Sequence, residues 1–97
     1  MFFYFKNEGP RRFWMPDTYF DLDIFFLDNQ FKVIALERKV PHHPGRKEPI
    51  PRTKTYMARH VLEIPSDSPI AQYIEKGSEL KWIGPPSFQE IESNIRP

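Results

Sequence analysis

The sequence predicts a small β-rich α+β domain, with about five or six mostly antiparallel strands in a barrel- or sandwich-like arrangement and one or two short helices. Three observations predict it. Eleven prolines against four glycines in 97 residues interrupt helices and set rigid connections. The apolar runs have strand length, as in Asp23–Leu27 (DIFFL) and Phe31–Arg38 (FKVIALER). Helix start signals occur only late, at Ser66–Pro69 and again at Ser87.

Taken in order, Met1–Phe5 is an aromatic strand that ends in the polar turn Lys6–Pro10. Arg11–Met15 is a second short extended run, stopped by Pro16. Asp17-Thr18 forms a turn. Asp23–Leu27 and Phe31–Arg38 make a hairpin about Asp28-Asn29-Gln30, and its loose alternation fits strands buried on both faces. Val40–Thr55, with Pro41, Pro44, Pro49 and Pro51, has no apolar periodicity and reads as a long surface loop. Loops above about 12–15 residues in compact domains are functional or disordered more often than not. Tyr56–Ile64 is a further strand, ended by Pro65.

Ser66-Asp67-Ser68-Pro69 supplies a cap and a first-turn proline for a helix with the stripe Ile70, Ala71, Tyr73 and Ile74, stopped by Gly77. Ser78–Ile83 is a last strand carrying Leu80 and Trp82. Ser87 and Glu90 match a capping box for a second helix, Ser87–Ile95. The expected organisation is one domain over residues 1–97, with a core at 2–83 and an extension at 84–97.

Nine Phe, four Tyr and two Trp compensate for a hydrophobic fraction of 39%, since each buried ring removes roughly 150–250 Å² from water. The absence of cysteine removes disulfides and thiolate metal sites. No run approaches the roughly 20 apolar residues of a membrane span, and the start lacks a secretory pattern, so the expectation is no membrane and a cytoplasmic setting by default.

The net charge of +1 argues against a protein built to bind nucleic acid. The charges are unevenly spread, however. Arg38, Lys39, Arg46, Lys47, Arg52, Lys54 and Arg59 fall in a stretch whose lone acid is Glu48, a candidate polyanion-binding loop. No stacking motif of an RNA-recognition domain accompanies them, and charge runs are usually solvated faces. His42, His43 and His60 offer imidazoles, but adjacent histidines in an extended chain point apart, so no metal and no cofactor is expected.

Asp17, Asp21, Asp23 and Asp28 accumulate around the first half of the hairpin. Asp21 and Asp23, two apart, would share one side of a strand and could do acid–base work. The competing reading is that Asp17 and Asp21 accept backbone N–H bonds in the turn while Asp28 belongs to the hairpin turn. Phe13-Trp14-Met15 beside Thr18 could line a pocket or simply pack in the core.

The run Phe13-Trp14-Met15-Pro16-Asp17-Thr18, followed by Leu22-Asp23-Ile24-Phe25-Phe26-Leu27-Asp28, resembles the domain-of-unknown-function family 192. Val61-Leu62-Glu63-Ile64 and Gly77-Ser78 continue the likeness, which covers roughly residues 2–83. Pro16-Asp17 and Asp21 depart from the family's usual Lys-Asn and Pro at those places, and the family's strand ahead of Phe2 is missing. The resemblance implies a compact β-rich α+β domain and brings no activity with it. The missing strand implies an exposed sheet edge that could pair two copies.

The preferred expectation is a non-catalytic binding or accessory module for a small ligand or a protein partner, its site formed by Trp14, Met15, Thr18, Asp21 and Asp23. The alternatives are a small carboxylate-dependent enzyme using Asp21 and Asp23, and a polyanion binder using the 38–59 loop.

Overall fold

A computed structural model describes residues 1–81. Six strands form: β1 (Phe2–Phe3), β2 (Gly9–Arg11), β3 (Leu22–Leu27), β4 (Val33–Val40), β5 (Tyr56–Ala58) and β6 (His60–Pro65). A four-stranded sheet runs in the order β1-β6-β3-β4, and β2 pairs with β5 in a two-stranded ribbon. Every strand pair is antiparallel.

β3 is the centre of the molecule. Hydrogen-bonded on both edges, it sends Ile24 and Phe26 to one face and Phe25 and Leu27 to the other, all four fully buried. Ile24 and Phe26 meet Met15, Val40, Ala58 and Val61 under the ribbon, with Phe13 and Tyr56 at the margin. On the opposite face, Phe25 and Leu27 meet Val33 and Ile74, with Leu36 and Leu62 beside them. Each buried Phe or Leu contributes about 1.5–3 kcal/mol, which explains why a strand without clean alternation sits in the middle. Fully buried His60 opens β6 among aromatic rings, stacked on Phe31 at 4.7 Å and beside Tyr4 at 4.8 Å.

The hairpin forms as expected, one to two residues displaced. Asp28 holds its turn, its Oδ1 accepting from the backbone N–H groups of Gln30 and Lys32. Other expectations need correction. The first strand shrinks to Phe2–Phe3, and the second moves to Gly9–Arg11. The Tyr56–Ile64 strand is broken at Arg59, whose N–H donates to Leu27 O while its Nε donates to Phe5 O.

The helix expected from Ser66 is a single 3-10 turn, Ala71–Tyr73. Ile74 has already returned to extended backbone at ψ 123°, so no α-helix can propagate. Of the strand expected over 78–83, the described residues form a bridge between Lys32 and Glu79, flanked by Val33 N to Ser78 O and Leu80 N to Phe31 O. The helix expected at Ser87–Ile95 lies outside the described residues. Neither sheet closes into a barrel.

The 40–55 segment is not a free solvated loop. It zips against residues 13–18 through Met15 N to Pro51 O, Thr53 N to Phe13 O, Asp17 N to Gly45 O and Thr18 N to His43 O. Ile50 and Thr53 are buried beneath it. Proline donates no backbone hydrogen bond but its carbonyl accepts, so a proline-rich strip can still be pinned.

Candidate functional site

The site begins with a register shift. Leu22 faces Val40 and Ile24 faces Glu37, so Arg38 and Lys39 together oppose Asp23. This is a β-bulge, a device that turns neighbouring side chains out of the ladder and recurs beside binding sites. Lys39 adopts φ 52°, left-handed backbone that costs an L-residue about 1–2 kcal/mol. Asp23 pays for that geometry. Nearly buried at 4% exposure, it accepts from Lys39 N (2.9 Å), Ser66 Oγ (2.6 Å) and Arg38 Nη1 (3.1 Å). Arg38 then donates to Ala71 O and Ile74 O, tying the 3-10 turn to the sheet.

Lys39, thus set outside the ladder, lines an open depression of about 480 Å³ with Tyr19, Phe20, Asp21, His42, Ser66 and Asp67. Tyr19 and Phe20 are 69% and 63% exposed. Opposite them, Asp21 Oδ1 accepts from the backbone N–H of His42 (2.9 Å) and lies 2.7 Å from its ring Nδ1. Those two contacts hold the Asp21 carboxyl below the ordinary aspartate range, the side-chain bond being the larger cause and a small desolvation opposing it. The depression therefore combines two aromatic side chains, two carboxylates, a lysine, an imidazole and a hydroxyl.

The residues singled out in the sequence are dispersed. Met15 is fully buried in the core and Thr18 is committed to the 13–18 zipper, donating to Met15 O and accepting from His43 N. Trp14 is half exposed, away from the depression's lining, with the Arg52 guanidinium 4.9 Å over its ring. Asp21 reaches the depression, whereas Asp23 lies beneath it with its oxygens taken. The two carboxylates do not share partners.

The basic residues divide similarly. Arg38 is held by Asp23, Arg46 by Asp17 at 2.7 Å, and Arg59 donates to Phe5 O and Tyr4 Oη. Arg52 lies over Trp14 and 3.9 Å from Glu48. Among the described residues, Lys39, Lys47 and Lys54 are exposed without a side-chain ion pair, and only Lys39 reaches the depression. The adjacent histidines go separate ways, His42 to Asp21 and His43 Nε2 to Lys47 O at 2.6 Å. Among the described residues no three His, Asp or Glu side chains converge as metal ligands.

Tyr19, Phe20, His42, Ser66 and Asp67 belong to the depression and are absent from the sequence-based site. The first two carry a readable signal: large aromatic residues inside a polar turn, outside any alternating run, have no core to enter. The pairing of His42 with Asp21 has no local signal, because 21 residues separate them.

No helix among the described residues is long and apolar enough to cross a membrane. No curated protein and no solved structure matches the chain. The model of family DUF192, described as "Uncharacterized ACR", matches residues 1–82, and the chain therefore belongs to that family.

Proposed function

We propose that the chain is a non-catalytic binding module whose site is the depression over the Arg38–Lys39 bulge. The observation that carries this reading is the strained backbone of Lys39 at the edge of an aromatic-lined hollow. A non-glycine residue in left-handed conformation persists where its surroundings over-determine it, and such positions cluster at binding sites. Here Asp23 supplies the constraint and the side chain of Lys39 faces the hollow. The volume falls within the roughly 300–1,000 Å³ of small-ligand sites, and the lining sets five polar or charged side chains around two aromatic ones.

The same geometry weighs against the two alternatives. A carboxylate pair needs both groups at one reacting centre, but Asp23 is saturated by the bulge and Ser66 while Asp21 is bound to His42. A polyanion groove needs free cations, yet four of the seven basic residues of the stretch already contact groups of the protein itself.

The experiment is a thermal-shift panel of divalent metals, nucleotides, sugars and short oligonucleotides against wild type, Phe20→Ala and Trp14→Ala. A ligand at about 100 times its dissociation constant adds roughly 2.7 kcal/mol to stability. The expected result is a stabilising compound whose effect falls by about half or more in Phe20→Ala and survives in Trp14→Ala. Stabilisation that Phe20→Ala leaves intact and Trp14→Ala removes would move the site to the Trp14 face.

A further inference from the structure

We infer that the ligand class of this depression is a saccharide, a step that rests on the depression being the binding site. Three observations combine. Tyr19 and Phe20 offer adjacent exposed aromatic side chains. The C–H face of a pyranose is apolar and slightly positive, which suits the negative face of an aromatic ring, whereas a fully apolar ligand would want enclosure.

The polar groups around the rings are of both kinds. Asp21 and Asp67 accept, Lys39 donates, and Ser66 and the His42 ring can do either. A sugar hydroxyl is itself both donor and acceptor, so it uses such a mixed rim fully. Asp21 fixes Nδ1 of His42, which leaves Nε2 as the ring atom for a hydroxyl.

The charges also disfavour an anion. Two carboxylates outnumber Lys39, the lining's lysine, and one of those carboxylates is bound by the His42 imidazole. A phosphate or carboxylate ligand would meet Asp67 and Asp21 as well as Lys39, so no net field draws an anion in. A neutral ligand rich in hydroxyls is the chemistry that this rim recognises.

The test is an amide-shift titration of the full chain by two-dimensional NMR. Glucose, maltotriose, cellotriose and the N-acetylglucosamine trimer are the saccharide probes, and adenosine monophosphate and phenylacetate are the competitors. The expected result is that at least one saccharide moves the amides of Tyr19, Phe20, Lys39 and His42. Phe20→Ala then weakens that saccharide about tenfold or more, Asp67→Asn weakens it by a smaller factor, and Trp14→Ala leaves it unchanged. Tyr19 and Phe20 are exposed, so their alanine variants keep the wild-type amide pattern elsewhere. If only adenosine monophosphate or phenylacetate moves those amides, the saccharide class is overturned and the site stands. If no probe moves them, the site and its ligand class fall together.

Discussion

Replacing Asp23 by alanine should damage folding more than any other single polar change in the sheet. The carboxylate is nearly buried and satisfies three donors at once: the Lys39 N–H, the Ser66 hydroxyl and the Arg38 guanidinium. Hydrogen bonds to a charged acceptor are worth about 1.5–3 kcal/mol when fully desolvated, and roughly 1 kcal/mol each is reasonable here because Lys39 borders solvent. Arg38 has a side chain 38% exposed, so its ion pair adds no more than about 1 kcal/mol. The total is about 3 kcal/mol, or roughly 12–20 °C in melting temperature for a domain of this size. Asp23→Asn keeps an acceptor oxygen and should lose about half as much. Urea denaturation followed by tryptophan fluorescence, together with a thermal melt, reads both variants. An Asp23→Ala loss below about 0.5 kcal/mol, the range of an ordinary surface change, would refute the reasoning. It would mean that water or a rearranged Arg38 replaces the carboxylate without cost.

Phe26→Ala removes a ring buried on the ribbon side of β3 and should cost about 3–5 kcal/mol, seen as a lower urea midpoint; an unchanged midpoint would contradict the core assignment. Asp21 has its pKa lowered by His42, so its contribution is present above the ordinary aspartate range and is lost as pH falls through the lower folded value. Melting temperatures from pH 7 to pH 2 should therefore show Asp21→Asn less stable than wild type at neutral pH, with the gap closing in acid. Tyr56 has its pKa raised, first by burial and then by donating to Glu37 Oε2 at 3.0 Å. The neutral phenol is the folded form, so its contribution holds below the ordinary tyrosine range and is lost as pH rises past it. An absorbance titration should show a late-titrating component that is missing in Tyr56→Phe.

The hairpin was legible because its two signals are local. A run of five apolar or pleat-compatible residues needs no partner to declare itself, and Asp28 ends it with a turn of its own making. The helix expected after Ser66 failed for a reason of length. Between Pro69 and Gly77 the chain has room for about two turns, and the stripe that suggested a helix buries only Ala71 and Ile74 while Ile70 and Tyr73 face outward. Residues three apart eclipse in a 3-10 turn, so the same spacing serves either structure.

The candidate site was half legible. Asp21 was picked out as a carboxylate near the strand start, and it does line the depression. Asp23 was picked out for the same reason, but the bulge opposite turned it into an internal latch. A bulge depends on which residue of β4 faces which residue of β3, and no composition or spacing within either strand encodes that. The basic stretch misled because charge is visible in sequence while the partners are not. Arg46 meets Asp17 where the 40–55 segment zips against 13–18, and Arg38 meets Asp23 across the β3–β4 bulge.

If backbone strain at Lys39 is kept for binding, Lys39→Gly weakens the site while sparing the fold. Glycine adopts left-handed backbone freely, which relieves about 1–2 kcal/mol of strain against a smaller entropic cost in the unfolded chain. Thermal melting and the saccharide titration should be measured on the same sample. The expected result is a melting temperature equal to or above wild type, with ligand-induced shifts at Tyr19, Phe20 and His42 reduced or lost. A lower melting temperature with binding intact would contradict it, showing that Lys39 serves the fold and contributes nothing to the site.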